Sequence, residues 1–279
     1  MSHRNFMELL RAKWSEDKFV CVGLDTEFRK LPAHIRLSNG GSIAQGIVDF
    51  NVAIIEATKD IACADKLNYA FYEKHGAEGF AALKATLEYA REYAPDVPII
   101  LDRKAGDIGN TNNGTAKMAF EHFQVDAITV NPYFGFEALQ PFLDYHDKGI
   151  IALCRTSNAG ANRFQNMLVD DIPLYQHVAR DFAENWNQHG NGCLVFGATA
   201  PEELAAGRQI VGDMPLLIPG IGAQGGDVEK TVIAGMDSKK EGMIINSSRG
   251  IIYASQEADF ADASRRATYK LNDQINHYR

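Results

Sequence analysis

Between Pro98 and Thr111 the chain reads PIILDRKAGDIGNT: four apolar residues run straight into Asp102, Lys104 and Asp107. In an extended strand side chains alternate, so Asp102 and Lys104 face one way and Arg103 the other. That sets an ammonium beside a carboxylate, with a second acid in the following loop. A cation aimed at a place where negative charge develops lowers the barrier to forming that charge. The same ammonium can hand over a proton as a general acid, and carboxylates on either side favour its charged form. A salt-bridge cluster on a solvated surface would have the same composition, but this one follows directly on an apolar run.

A second polar constellation suits an oxyanion. PGIGAQGGD, residues 219–227, comes after an apolar run and before a helical stretch, so backbone N–H groups at a helix start can receive a phosphate. Arg249 follows the last apolar run and adds a charged fork. Gly220, Gly222 and Gly225 also fit GxGxxG, a dinucleotide-binding pattern. That pattern usually opens a first βαβ unit, however, and here it falls in the seventh of eight; glycine turns with no ligand are the other reading. Further polar residues stand where apolar runs end, at Asp25, Lys66 and Ser157.

Eight β-rich runs could position these groups: Phe19–Asp25, Cys63–Asn68, Pro98–Lys104, Ala127–Pro132, Gly149–Thr156, Gly192–Thr199, Pro215–Ile221 and Gly242–Ser247. Amphipathic stretches separate them, at Ile43–Lys59, Ala77–Tyr93, Asn113–Phe123, Glu137–Tyr145, Leu174–Gln188, Glu202–Val211 and Asp227–Ala234, and Asp259–His277 closes the chain. In Ala77–Tyr93, for example, Phe80, Leu83, Leu87 and Ala90 recur at helical spacing. Nearly continuous apolar strands are what parallel strands covered on both faces require. Eight units in 279 residues leave about 35 residues each, enough for one βαβ crossover. The total is close to the roughly 250 residues of one closed barrel. With no Pro/Gly/Ser-rich linker, the expectation is a single (β/α)₈ TIM barrel over residues 1–279. A barrel brings its strand ends to one mouth, whereas an open sheet would spread them along an edge.

Composition narrows the function classes. Hydrophobic residues make up 46% and charged residues 23%, which is ordinary globular usage. Twenty-eight Lys and Arg against 36 Asp and Glu give a net charge of −8, so no global cationic field draws the chain to nucleic acid or anionic lipid. No apolar run approaches the ~20 residues of a membrane span. The opening MSHRNFMELLRAKW lacks the apolar core and cleavage site of a secretory leader. Cys21, Cys63, Cys154 and Cys193 are far apart in apolar runs, so they read as small buried hydrophobes, without a disulfide or metal, in a cytoplasmic protein.

LDRKAGDIGNT resembles the signature of the orotidine 5′-phosphate decarboxylase family. So do GLD at 23–25, DKLNYAFYEKHG at 65–76, CRTSN at 154–158, PGIGAQGGD at 219–227 and NSSRGI at 246–251. The length and the AFYEKHG and RTSN segments are most similar to the longer bacterial (type 2) subgroup. The resemblance implies a cofactor-independent, homodimeric enzyme that takes orotidine 5′-monophosphate to UMP and CO₂ in pyrimidine biosynthesis. It implies that Lys104 gives a proton to C6 of the pyrimidine, with Asp102 and Asp107 flanking the substrate carboxylate. Asp107, with Ile108 and Thr111, would enter the neighbouring subunit's site. Asp25 and Lys66 would contact the ribose hydroxyls and join the charged array. Ser157 would bind the pyrimidine and Pro219 would wall the pocket. Gln224 and Arg249, with Gly222 in the same loop, would hold the 5′-phosphate. The chain departs from the family after Lys66, where Leu67 and Asn68 stand in place of a following Pro.

Two rival readings keep the barrel. One is a related phosphate-binding barrel enzyme, a metal-assisted sugar-phosphate decarboxylase or an isomerase; the other is a non-catalytic phosphometabolite-binding barrel, which would gain nothing from paired acids. The remaining features read as structural. Tyr69, Phe71 and Tyr72, and Tyr133, Phe134 and Phe136, are expected to pack, and His75 and His122 to take solvent or capping roles. Ser247–Ser248 serves either a turn or a phosphate, and Arg265–Arg266 reads as a solvated helix face.

Overall fold

Each of the eight apolar runs forms a strand in the computed structural model, which describes residues 4–38, 40–222 and 225–279. They are β1 (Val20–Gly23), β2 (Ala64–Asn68), β3 (Ile99–Ala105), β4 (Ala127–Val130), β5 (Gly149–Arg155), β6 (Gly192–Phe196), β7 (Leu216–Pro219) and β8 (Met243–Ser247). Each pairs in parallel with its successor, and β8 pairs with β1 through Val20 opposite Ile245, closing the barrel. Every residue of β1, β4, β6 and β8 is buried, as expected for strands covered on both faces. Most strands stop short of the runs expected from sequence. Asp25, Asn131, Thr156 and Gly197 lie past the last residues of β1, β4, β5 and β6, so they belong to the loops of the mouth.

The helices are α1 (Phe6–Ser15), α2 (Ile43–Thr58), α3 (Gly76–Tyr93), α4 (Gly109–Lys117), α5 (Phe136–Leu143), α6 (Leu174–Asp181), α7 (Pro201–Val211), α8 (Val228–Gly235) and α9 (Phe260–Tyr278). Two continue as wider π-helical turns, Met118–His122 after α4 and Phe182–Trp186 after α6. α4 starts at Gly109 rather than Asn113, immediately behind the DRKAGDI segment. Short helices at Ala33–Ser38, Tyr69–Glu73, Ala161–Gln165 and Arg249–Ile252, and a hairpin pairing Leu168–Val169 with Ile172–Pro173, are additions to the expected pattern. No helix among the described residues is long and apolar enough to cross a membrane.

α1 was also absent from the expected pattern, although its buried Phe6, Leu10 and Trp14 recur at i, i+4 and i+8. It plugs the N-terminal end of the barrel. Phe6 fills the space over Gly149, where a Cβ would collide with its ring. The Trp14 indole Nε1–H donates to the Met243 carbonyl at 2.9 Å. Just ahead of α1, Arg4 grips Asp126 with two hydrogen bonds of 2.9 and 2.6 Å, while Asp126 also accepts the Ile99 N–H. With one end stoppered, the other is left to face ligand.

Arg265 departs from the solvated role expected of it. It binds Asp60 with two 2.6 Å contacts and the Ala57 carbonyl, tying α9 to the end of α2, while Arg266 pairs with Asp259 on the surface. His75 precedes α3 without a side-chain capping bond, and its buried Nε2 has no hydrogen-bond partner among the described residues. All four cysteines are buried free thiols.

Asp65 on β2 is 2% exposed, and its Oδ1 has no hydrogen-bond partner among the described residues. Burial pushes its carboxyl up to about 7, against the opposing pull of Lys13. The folded chain thus holds a proton that the unfolded chain releases near pH 4, so stability falls as pH rises across that window. Asp65→Asn removes this dependence. Its stability relative to the parent should improve by on the order of 3 kcal/mol between about pH 5 and about pH 8, measured by urea unfolding. A pH-independent difference between the two proteins would sink the assignment.

Candidate active site

β1, β2 and β3 are neighbours, and at their C-terminal ends four charged side chains form an alternating chain. Lys66 Nζ stands 3.6 Å from Asp25 Oδ1 and 3.2 Å from Asp102 Oδ2. Asp102 Oδ1 accepts from Lys104 Nζ at 2.7 Å and from the Thr129 hydroxyl at 2.9 Å, and Asn68 Nδ2 donates to Oδ2 at 3.2 Å. Burial by itself would push the Asp102 carboxyl up. Lys66 and Lys104, helped by hydrogen bonds from Lys104 and Thr129, outweigh it and hold the group well below the usual carboxylate range. Burial likewise opposes charge on Lys66, yet Asp102 and Asp25 keep its ammonium well above the ordinary lysine range.

Lys104 does not reach this position by simple strand alternation. β3 pairs Leu101 with Ile128 and then Ala105 with Val130, so Asp102, Arg103 and Lys104 stand opposite the single residue Thr129. Lys104 takes a left-handed backbone, with φ of +50°. Its side chain is half exposed to the mouth. Arg103 turns the other way, its guanidinium 4.4 Å from the centre of the Tyr69 ring.

These groups line a cavity of about 620 Å³ at the barrel mouth, together with Ser157, Pro219 and Arg249. That volume is in the range of small-molecule sites. Ser157 sits on Gly197, where a Cβ would come within 2.7 Å of the Ser157 backbone. The preceding Thr156 is bracketed by Gln165, whose Oε1 accepts the Thr156 N–H at 2.8 Å and whose Nε2 donates to its hydroxyl at 2.9 Å. Arg155, buried at the end of β5, holds Asn162 and pairs with Glu203 of α7 at 3.3 Å. A larger hollow of about 960 Å³ lies on the barrel flank between the β4 loop and α6; it contains none of the residues predicted for the site.

At the opposite side of the mouth, Gly220, Ile221, Ser248, Arg249 and Gly250 line the cavity. The start of α8 does not line this cavity, and the Asp227 carboxylate caps it, accepting the Lys230 N–H at 3.0 Å. The helix start that reaches the cavity is Arg249–Ile252, after β8. Gly220, Gly222 and Gly225 all adopt positive φ, which forms a tight loop closed by the Gly226 N–H on the Gly220 carbonyl at 3.0 Å. Gly222 is exposed and does not line the cavity, and Gln224 lies outside the described residues. A closed barrel with this loop in its seventh unit removes the dinucleotide reading.

Asp107, Ile108 and Thr111 are not brought to this cavity. All three are exposed at the start of α4, and the Asp107 carboxylate accepts the adjacent Ile108 N–H. Tyr133 and Phe134 do not pack inward as expected, being 72% and 54% exposed, whereas Tyr69 and Tyr72 are buried. The cavity also contains Asn68, Thr129 and Gln165, which sequence reasoning did not single out. Asn68 had a visible signal, as the polar end of an apolar strand and the cap of the next helix, where its Oδ1 accepts the Ala70 N–H. Thr129 had none, since one threonine in AITV reads as an ordinary strand residue.

A profile of the "Orotidine 5'-phosphate decarboxylase / HUMPS family" matches residues 18–263. The chain is 50% identical over 275 residues to the orotidine 5'-phosphate decarboxylase of Ralstonia pickettii, covering 98% of this chain and 99% of that one. The chain belongs to that family. It is similar at 49% identity to the same enzyme from a Janthinobacterium species, over 98% of both chains. Among solved structures, the OMP decarboxylase of Leishmania donovani superposes with a TM-score of 0.83 at 36% identity, over 98% of this chain and 99% of that one. These relatives are carboxy-lyases, so within the family the full-length likeness is to the decarboxylase branch. Family members share the eight-stranded barrel described above, and the charge array occupies its mouth.

The array makes Lys66 a structural risk. Lys66→Met leaves Asp25 and Asp102 without their shared cation, which should cost about 3–5 kcal/mol of stability at neutral pH. Adding Asp25→Asn should return part of the loss. Denaturant unfolding of both variants tests this, and a loss below about 1 kcal/mol, typical of an exposed pair, would contradict the coupling.

Proposed function

We propose that this chain decarboxylates orotidine 5′-monophosphate to UMP, with Lys104 as the proton donor. The observation that carries the reading is the Asp25–Lys66–Asp102–Lys104 array lining a nucleotide-sized cavity in a chain of this family. Arg249 and the adjoining loop bind the 5′-phosphate at one side of the mouth, with Gln224 from the loop after β7, which Gly222 turns through its positive φ. Ser157 addresses the pyrimidine at the other side, Asp25 and Lys66 take the ribose hydroxyls, and Pro219 walls the pocket. The bond from C6 to the carboxylate carbon then breaks, its electron pair stays on C6 and CO₂ departs. The Lys104 ammonium neutralises that charge as it forms and transfers a proton to C6; water restores the proton.

The magnitudes show which effect dominates. Asp102 beside the substrate carboxylate contributes repulsion of roughly 4 kcal/mol at 4 Å and an effective dielectric of ~20. Enzymes lower barriers by about 8–23 kcal/mol. Ground-state repulsion is therefore the smaller part. Charge stabilisation by Lys104, together with binding energy from the remote phosphate, supplies the rest.

The site is completed by a second copy of the chain. Within one protomer, among the described residues, Lys104 pairs with one acid, Asp102, while Asp107 stands exposed on the rim with Ile108 and Thr111. Near it Tyr133, Phe134 and Phe164 form an exposed aromatic cluster, with ring centres 6.0 Å apart in each contacting pair. Aromatic side chains are enriched at protein interfaces. A homodimer that inserts Asp107 into the neighbouring mouth would cover it and supply the second carboxylate. The buried thiols fit a cytoplasmic setting.

Incubating the purified protein with orotidine 5′-monophosphate and a chelator, while following pyrimidine absorbance, should show UMP formation. Turnover abolished by chelator would favour the metal-assisted sugar-phosphate enzyme. Lys104→Ala should lose UMP formation by orders of magnitude and still bind UMP; near-normal turnover would reject its role as the acid. Mixing inactive Asp107→Ala with inactive Lys104→Ala should restore up to about a quarter of parental activity, since each hybrid dimer rebuilds one intact site. Absence of rescue after demonstrated subunit exchange would place the whole site in one chain.

A further inference from the structure

The widest irregularity of the barrel ladder lies in its most highly charged place. Three residues of β3 face one residue of β4, and regular pairing resumes only where the Asn131 N–H meets the Ala105 carbonyl at 2.7 Å. The excess chain pushes Lys104 into a left-handed conformation that a residue with a Cβ rarely adopts. Its N–H donates to the Thr129 hydroxyl at 2.8 Å, in place of a β4 carbonyl. The same hydroxyl donates to Asp102 Oδ1 at 2.9 Å, and that oxygen also receives the Lys104 ammonium at 2.7 Å.

The three contacts make a closed ring: Lys104 amide to Thr129 hydroxyl, hydroxyl to Asp102, Asp102 to the ammonium of the same lysine. A hydroxyl has one proton. The amide N–H can only donate and the ionised carboxylate can only accept, so that proton is directed to Asp102. Thr129 is 1% exposed, so water cannot readily replace either bond. We propose that Thr129 is the positioning residue of this site: it fixes the β3 bulge and the Asp102 carboxylate together, and so aims the Lys104 ammonium at the reacting carbon. The proposal rests on the reading that Lys104 is the proton donor. It predicts that an isosteric apolar residue at 129 spoils the aim of the ammonium and leaves the phosphate contacts, on the far side of the mouth, untouched.

Thr129→Val and Thr129→Ser, with the parent and Lys104→Ala as controls, test this by steady-state kinetics and by UMP binding. Thr129→Val should lose on the order of 10- to 100-fold in kcat, the size of one or two hydrogen bonds to charged partners. Its affinity for UMP should stay within about twofold, and Thr129→Ser, which keeps the hydroxyl, should recover most of the loss. Parental kcat in Thr129→Val would overturn the proposal, as would a parallel loss of UMP affinity or failure of the serine to rescue. If the valine variant does not fold, Thr129→Ala is read by the same criteria; failure of both to fold would make Thr129 a stability residue only and overturn the proposal. A parent that forms no UMP, or a Lys104→Ala variant that does, would instead defeat the underlying assignment of function.

Discussion

A lysine ammonium buried under the mouth of a barrel has to be matched by carboxylates, and most of the site follows from how this chain matches Lys66. Its neighbours are Asp25, in the loop that leaves β1, and Asp102 of β3, the strands on either side of its own. Removing water from such charges is expensive, and only close opposite charges with well-made hydrogen bonds offset the cost. Asp102 meets that demand with two donors on each oxygen. The consequence is a carboxylate held ionised and fixed in orientation, against which Lys104 can rest with its side chain half in the cavity. The more exposed cation does the chemistry in our reading, and the buried one keeps its partner in place.

The ladder irregularities carry the same logic. Register shifts occur in β3 between Leu101 and Ala105 and in β5 between Leu153 and Arg155, and both strands lead into walls of the cavity. Bulges release residues from pairing and re-aim their side chains. In β3 this delivers Lys104 to Asp102. In β5 it precedes Arg155 and the Thr156–Ser157 corner, which Gln165 and Gly197 hold from two sides. The regular strands of the core and the α1 plug at the opposite end allow this departure from ideal geometry, because the apolar interior below the mouth is closed without it.

How much of this was legible depends on the range of the interaction. The eight strands were readable because burial on both faces demands continuous apolar runs, and the order of those runs fixed a sequential parallel barrel. Asp25, Lys66, Asp102, Lys104, Ser157 and Arg249 were readable because each is polar at or just past the end of such a run, and Pro219 through the family resemblance; the cavity gathers all of them. α1 carried the helical spacing of Phe6, Leu10 and Trp14 but has no place in a strict β/α alternation, which is why it escaped. That Asp227 caps α8 and that Arg249–Ile252 is the helix start reaching the cavity on that side were not legible, because nothing in the local sequence tells which helix start a closed barrel turns toward its mouth.

The sequence by itself determined the family, the barrel and the charged residues at its mouth, since hydrophobic pattern and residue chemistry are properties of short segments. Only the tertiary structure decided that Lys104 meets Asp102 across a bulge, that Thr129 receives its amide, and that Asp107 stands outside its own cavity. The physical reason is that hydrogen bonds and desolvation depend on distances between strands far apart in the chain, and those distances exist only once the barrel has closed.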